Sequence, residues 1–487
     1  MSEGLRTIRG PVLSVVRNTA SLLTSDVLNK ATTFVVYALV ARYTDTRAFG
    51  QLSLGLLLLY TFQVFACVGL PTLITRDLSL AREQTSKYFA TSGFVVLCSS
   101  VVSALAMLLF AKVMAYPSDT KAVLSILALG LVPQALATVT EAVFRAWERM
   151  HYIAYANVPF NLLKVLLAYW LLESGYGVAA IAMMLVAIRV AIVLVEWGFF
   201  AAMVGRLDAG VDFQCARRLL TGGSTFLGID GLLAIWNSLD VVLISKFCGE
   251  EDVGLFSAAC QLMVPARLFF HSVVSSVFPI MCQKVKADMA NLAGFVQWLI
   301  EFLMTIGLPI AVGLFFLAGP SLLLLYGDPS FVAAAGMVEI LVAALFFQTM
   351  TTVLGHALWA GRHEVTTLRI VAVNVVVNLV IGWALVSQFG VIGAAVTALL
   401  MSLVNCGQHY LAAARFIGPI PVLRTAWKAA VGAAAMALCF LIVHPAGPVI
   451  AGISAGLTYV AVMGVLLVRT AGGFDELRSD YFAPLVN

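Results

Sequence analysis

Apolar residues run along this chain in blocks of roughly twenty, separated by short polar clusters. A block of about 20 mainly apolar residues is the length that carries a helix across a bilayer. The pattern predicts about fourteen spans, with approximate limits 19–42, 48–70, 89–115, 122–144, 153–172, 177–204, 223–245, 254–281, 294–325, 332–360, 370–388, 391–414, 427–443 and 447–468. The connections are short, which leaves no room for a sizeable soluble domain. The longest is 205–222. There Asp208, Asp212, Arg217 and Arg218 interleave with Leu207, Val211, Phe213 and Leu219, so an interfacial amphipathic segment joining two halves is expected.

Composition agrees with the blocks. Of 487 residues 61% are hydrophobic and 11% charged, against about 45–50% and about 25% in a soluble domain. The surplus apolar surface has to face lipid, which excludes a soluble enzyme. The net charge of +4 is small and its cations are dispersed, so nucleic acid is not an expected partner. Their distribution is the informative part. With the N-terminus placed in the cytoplasm, twenty Lys and Arg fall on the cytoplasmic side, five on the other (Arg42, Arg47, Lys112, Lys121, Lys246) and four inside spans. By the positive-inside rule both termini are cytoplasmic. The start, Met1 to Pro11, is polar and basic and is not read as a cleavable signal. Eight scattered cysteines without a C-x-x-C pair are read as small buried hydrophobes, so neither a disulfide framework nor a metal site is expected. No G-x-x-x-x-G-K-[ST] loop occurs, and no cofactor is implied.

The two halves resemble each other. A shift of 204 pairs Asp26 with Asp230, Arg42 with Lys246 and Gly50 with Gly254. A shift of 213 pairs Arg149 with Arg362, Asn161 with Asn374, Trp170 with Trp383 and Gly177 with Gly390. The repeat holds six spans, an even number, so both copies start on the same side and are parallel, related by an axis along the membrane normal. The expected architecture is all-α: a six-helix bundle over 1–204, a linker over 205–222, a second six-helix bundle over 223–415, and two further helices with a tail over 416–487.

Several short segments then point to a family. Ala41-Arg42-Tyr43 with Phe49-Gly50, Gly69-Leu-Pro-Thr-Leu-Ile-Thr-Arg76, Asn237-Ser-Leu-Asp240 with Val253-Gly-Leu-Phe-Ser-Ala258, Phe278-Pro279 and Phe389-Gly-Val-Ile-Gly-Ala-Ala395 occur in an order and spacing over about 18–415. In these the chain resembles the polysaccharide-transporter branch of the multidrug/oligosaccharidyl-lipid/polysaccharide exporter superfamily, the Wzx-type flippases. Thr44-Asp45 stands where many relatives have Leu-Gly. The resemblance implies a transporter without a covalent step, not an enzyme. Its substrate would be a polyprenyl-pyrophosphate-linked oligosaccharide, moved from the cytoplasmic to the periplasmic leaflet of a bacterial inner membrane by alternating access. The setting would be surface or exopolysaccharide synthesis, such as lipopolysaccharide O-antigen. Membrane lipids, a polysaccharide polymerase and a chain-length regulator would be partners. The other readings are a multidrug cation antiporter of the same superfamily, which favours acidic cavities, and a membrane-embedded glycosyltransferase or polymerase, which needs a long periplasmic loop.

Ionisable residues at bilayer depth are the site candidates, because each costs about 2.5–3.5 kcal/mol on insertion scales and usually faces a cavity. Lys30, Arg267, Lys164 and Arg189 are candidate partners of an anionic headgroup, with Arg76 at the cytoplasmic mouth. Asp26 stands i,i+4 to Lys30 and is read as holding it. Asp230, Asp240 and Glu301 are candidates for ion pairs or ion coupling. Trp236 and Asn237, within span seven, are candidate sugar contacts. The pairs Asn157/Asn161 and Asn374/Asn378 read as interhelical glue.

Overall fold

A computed structural model of the chain describes residues 25–204, 210–287 and 289–471. The described residues are almost all helical, and none is in a strand. In hydrocarbon no water competes for backbone N–H and C=O groups, so each apolar block closes its own hydrogen bonds as a helix. The elements are α1 (residues 25–43), α2 (Thr46–Cys67), α3 (Leu70–Leu80), α4 (Thr85–Val113), α5 (Ser118–Leu129), α6 (Leu131–Ala146), α7 (His151–Glu173), α8 (Val178–Val204), α9 (Phe213–Phe247), α10 (Glu250–Leu262), α11 (Val264–Ala287), α12 (Met289–Phe316), α13 (Ala318–Tyr326), α14 (Ala335–Ala360), α15 (Glu364–Phe416), α16 (Val422–Val443) and α17 (Pro448–Ala471).

Twelve helical stretches have the length and apolarity to cross a bilayer. One of them, α15, is two arms joined at Gly390, whose φ of 60° and ψ of −141° suit glycine alone. The more polar α1, with Asp26, Lys30 and Arg42, is also of crossing length. With the arms separated and α1 included, the fourteen predicted spans are present among the described residues.

Some spans are made of two pieces: α2 is followed by α3, α5 by α6, and α10 by α11. After α2 the break falls at Val68 and Gly69, both with positive φ, and Pro71 opens α3. The second span thus stops short of its predicted limit at residue 70. Pro265 lies in the first turn of α11, where it marks the start of that helix after α10. The predicted linker is shorter than expected as well: Asp212 caps α9, accepting from the amides of Gln214 (2.8 Å) and Cys215 (3.0 Å), and residues 213–222 are helix. Residues 205–209 and both chain ends fall outside the described residues, as does the predicted cytoplasmic placement of the termini.

Packing groups the residues up to Gly254 as one compact unit and those from Leu255 as another. This boundary differs from the sequence boundary by α9, which packs on α2, α3 and α4. Hydrophobic attraction does not draw helices together in lipid, so close approach of small residues does. A Cβ on Gly69 would lie 2.3 Å from the Gly223 carbonyl oxygen, and one on Gly223 2.4 Å from that of Val68. Gly50 and Gly254, paired by the 204 shift, meet likewise: a Cβ on Gly50 would lie 1.8 Å from the Glu250 oxygen, and one on Gly254 2.0 Å from that of Thr46. Around Gly69 and Gly223, Leu70, Ile74 and Leu78 of α3 pack with Phe144 of α6, Phe200 of α8 and Leu219 of α9.

The second unit has its core between α11, α12, α14 and α15, around Val274, Leu303, Leu354 and Ala413. The α16–α17 hairpin packs on α12. Phe316 stacks on Phe440 at 4.7 Å, and the Tyr459 hydroxyl donates to the Thr305 carbonyl at 2.6 Å. No disulfide joins the cysteines among the described residues, and of the eight only Cys67, Cys215 and Cys406 are buried. Cys98 is exposed on α4 beside exposed Val102 and Leu105, because an apolar helix face in lipid gains nothing by hiding.

Candidate functional site

Within the first unit, α1, α2, α6, α7 and α8 line a partly open cavity of about 200 Å³. Helical spacing supplies its polar groups. Asn29 and Thr33 lie one turn apart on α1, and Asn157, Asn161 and Lys164 share a face of α7. Arg189 comes from α8 and Gln134 from α6. Among the described residues the lining holds two cations and no carboxylate.

Lys164 is 6% exposed, which rules out the snorkelling its position in span five would permit. Its Nζ donates to Asn161 Oδ1 at 2.9 Å, Thr33 Oγ1 at 3.0 Å and Asn29 Oδ1 at 3.4 Å. Three neutral oxygens thus take its three protons. Arg189 Nη1 reaches Asn157 Oδ1 at 3.5 Å, and Nη2 stands 3.9 Å from Glu141 Oε1. Its Nε is buried without a hydrogen-bond partner among the described residues. Behind the cavity wall Glu141 pairs with Arg145 at 3.2 Å, and Asn157 Nδ2 donates to Glu141 and Glu196, each at 3.4 Å. Glu196 is fully buried.

The structure thus brings Lys164 and Arg189 into one pocket, where the sequence offered them as separate candidates. Asn157 and Asn161, read as helix glue, belong to it as well. Asn29, Thr33 and Gln134 were missed, because a search for charges at bilayer depth passes over amides and hydroxyls. The available signal was the Asn29/Thr33 spacing, one turn like that of Asp26/Lys30.

The other candidates lie elsewhere in their units. Asp26 and Lys30 are exposed on α1, and no ion pair within 4.0 Å closes between them among the described residues. Asp230 and Asn237 are exposed on α9, with Trp236 and Asp240 partly so. Arg76, exposed near the end of α3, pairs with Asp77 at 3.0 Å. In the second unit Arg267 lies in the first turns of α11, its Nε buried without a hydrogen-bond partner among the described residues. Glu301 of α12 accepts from Lys428 of α16 at 2.9 Å. Asn374 donates to Asn405 at 3.1 Å across the two arms of α15, as helix glue would.

At the opposite end of the first unit from Asp212, Arg47 and Gln51 donate to Asp119 at 3.0 and 2.8 Å, and Thr120 donates to Glu250 at 2.9 Å. This cluster ties α2, α5 and the start of α10.

Residues 15–285, more than half of the chain, match the family described as polysaccharide biosynthesis protein. The probable low-salt glycan biosynthesis flippase Agl15 of Haloferax volcanii is 25% identical over 286 residues, 58% of this chain and 59% of that protein, so the chain covers less than two thirds of that relative. Among solved structures, the lipid II flippase MurJ in an inward closed conformation superposes with a TM-score of 0.74 at 12% identity, over 97% of this chain and 100% of that one. An inward-facing multidrug resistance MATE family transporter of the MOP superfamily gives 0.65 at 12% identity, over 80% and 95%. At such identities the likeness is one of fold, that of MOP superfamily transporters.

Proposed function

Since the chain belongs to the polysaccharide biosynthesis protein family, we propose that it is a flippase for a polyprenyl-pyrophosphate-linked oligosaccharide. One observation carries this reading: Asp26, Asn29 and Lys30 on α1, a helix of crossing length, and Asp230 and Asn237 on α9, a helix apolar enough to cross a bilayer, are exposed. A charge on such a helix costs about 2.5–3.5 kcal/mol. A hydroxyl-rich headgroup in transit offsets that cost, whereas lipid tails do not. Lys30 and Arg267 serve the pyrophosphate, Arg76 meets it at the cytoplasmic mouth, and Trp236 and Asn237 meet the sugar. Transfer runs to the outer leaflet of the plasma membrane by alternating access. The glycan feeds surface or exopolysaccharide assembly, where a polymerase and a chain-length regulator are the expected partners.

The competing reading, an organic-cation antiporter, calls for an acidic pocket, and among the described residues the lining of the first unit's cavity has two cations and no carboxylate. Flipping of a fluorescent short-chain lipid-linked glycan in proteoliposomes tests the proposal. Wild type should expose the glycan, and Lys30→Ala with Arg267→Ala should lower the rate about tenfold or more at equal protein level, the loss expected of charge-assisted phosphate contacts. Undiminished flipping by the double variant discards the cation assignment. Saturable exchange of an organic cation, with no glycan exposure, replaces the flippase reading.

A further inference from the structure

We propose that His271 and Ser275 of α11 with His356 and Trp359 of α14, in the second unit, form a subsite for the sugar that follows the pyrophosphate of the lipid-linked glycan. This subsite rests on the flippase reading and deepens it, because it gives the sugar a face that α1 and α9 do not supply.

Most of α11 is a stretch long and apolar enough to cross a bilayer, yet His271, Ser272, Ser275 and Ser276 are exposed on it. On α15 and α16 of the same unit, exposed positions carry Val373, Val376 and Val380 and Leu438, Leu441 and Ile442. Lipid tails suit such residues but offer a hydroxyl or an imidazole no hydrogen bond. This face of α11 therefore suits a polar ligand. Next to it lies a group of rings centred on His356. Its centroid is 4.9 Å from that of Trp359, 5.6 Å from that of Phe278 and 6.1 Å from that of His271. His356 Nδ1 donates to the Thr352 carbonyl at 2.8 Å, which leaves Nε2 as an acceptor in the neutral ring. His271 Nδ1 and the Ser275 hydroxyl meet at 3.4 Å. Trp359 is 43% exposed. An interface belt accounts for a tryptophan, but not for two imidazoles and a run of hydroxyls beside it.

The order of groups along α11 follows the order of groups in the ligand. Arg267, read as a pyrophosphate contact, precedes His271 by four residues, and Ser275 follows by four more. Residues so spaced share a helix face, one turn of about 5.4 Å apart. A sugar attached to a pyrophosphate at Arg267 therefore comes level with His271 and Ser275, beside the rings of α14. A pyranose has an apolar C–H face that an aromatic ring covers, and a rim of hydroxyls that donate to and accept from imidazole and serine. His271, Ser275, His356 and Trp359 include no carboxylate, ammonium or guanidinium, so a neutral sugar leaves no fixed charge uncompensated. A prenyl tail would use the rings alone and leave the hydroxyls and imidazoles unmatched.

Two probes test the subsite: the lipid-linked glycan extracted from cells lacking the gene, and the prenyl pyrophosphate of the same chain length without sugar. Both are titrated against the full chain in detergent. The wild type should bind the glycan-bearing lipid more tightly. His271→Ala and, independently, Trp359→Ala should each weaken that binding about fivefold, the loss expected of one such contact. Both variants should bind the sugar-free lipid as the wild type does, and Trp359→Phe, which keeps a ring, should recover most of the loss. Either alanine variant reads the subsite if the other does not fold. Loss confined to the glycan-bearing lipid upholds it. Undiminished binding of that lipid by both variants, or an equal loss for both lipids, overturns it, the second outcome marking a merely structural role. Equal binding of the two lipids by the wild type overturns the subsite and leaves the flippase reading standing. If no lipid-linked glycan accumulates without the gene, or the wild type binds neither lipid, the flippase reading fails and the subsite falls with it.

Discussion

Lys428 and Glu301 join α16 to α12 through a contact of 2.9 Å, with side chains 20% and 23% exposed. At that burial neither the full cost of a broken buried pair nor the near-zero value of a surface pair applies, and an intermediate loss of roughly 1–3 kcal/mol is expected when one partner is removed. Lys428→Ala should lower the melting temperature in detergent, and the exchanged pair, Glu301→Lys with Lys428→Glu, should recover most of it. If Lys428→Ala melts with the wild type, the ion pair does not hold the hairpin. Glu301 was legible in the sequence as a charge at bilayer depth. Its partner was not, because the two are 127 residues apart and only the docking of the hairpin on α12 brings them together. Lys164 shows the same limit. Its depth in a span could be read from the sequence, but its burial depends on which face α7 turns toward α1.

At the scale of the helix, α9 begins where a capping residue and a cation meet. The Asp212 carboxylate accepts from the first amides of the helix and pairs with Lys87. The hydrogen bond from Lys87, followed by that from the Cys215 amide, holds its pKa at about 2, below the ordinary 3.8. A carboxyl lowered on folding contributes stability that is fully present above its unfolded value and is lost as pH falls through the folded one. Exchange protection of the Gln214 and Cys215 amides should therefore be flat above about pH 4 and decline toward pH 2, apart from the intrinsic pH dependence of exchange. Asp212→Asn should remove that decline. Equal profiles for both proteins count against the cap. An acidic residue ahead of an amphipathic run was visible in the sequence, yet the helix start was placed about ten residues late. Arg217 and Arg218 made the first turns of α9 look like a linker. The chain continues as helix because Asp212 supplies the cap and Leu219 and Gly223 pack on α3 and the α2–α3 break.

For the molecule as a whole, the cation bias predicts an orientation that labelling can check. In a cysteine-free background, Ser118→Cys should react with an impermeant thiol reagent added to intact cells, and Gln214→Cys should react only after the membrane is opened; both positions are exposed. Ready labelling at 214 from outside would invert the topology. By itself the sequence determined that this chain is a helical membrane protein of about fourteen spans in a six-span repeat. Those properties follow from lengths of apolar run and from residues at fixed offsets, and hydrocarbon leaves the backbone no choice but to bond within each run. The tertiary structure decided where spans break, which unit α9 packs with, and that Lys164 and Arg189 share a cavity with Asn29 and Asn161. These depend on which helix faces meet. In lipid that is settled by the close approach of small residues such as Gly69 with Gly223 and Gly50 with Gly254, and by scattered polar contacts. Along apolar helices the linear pattern carries little of that information.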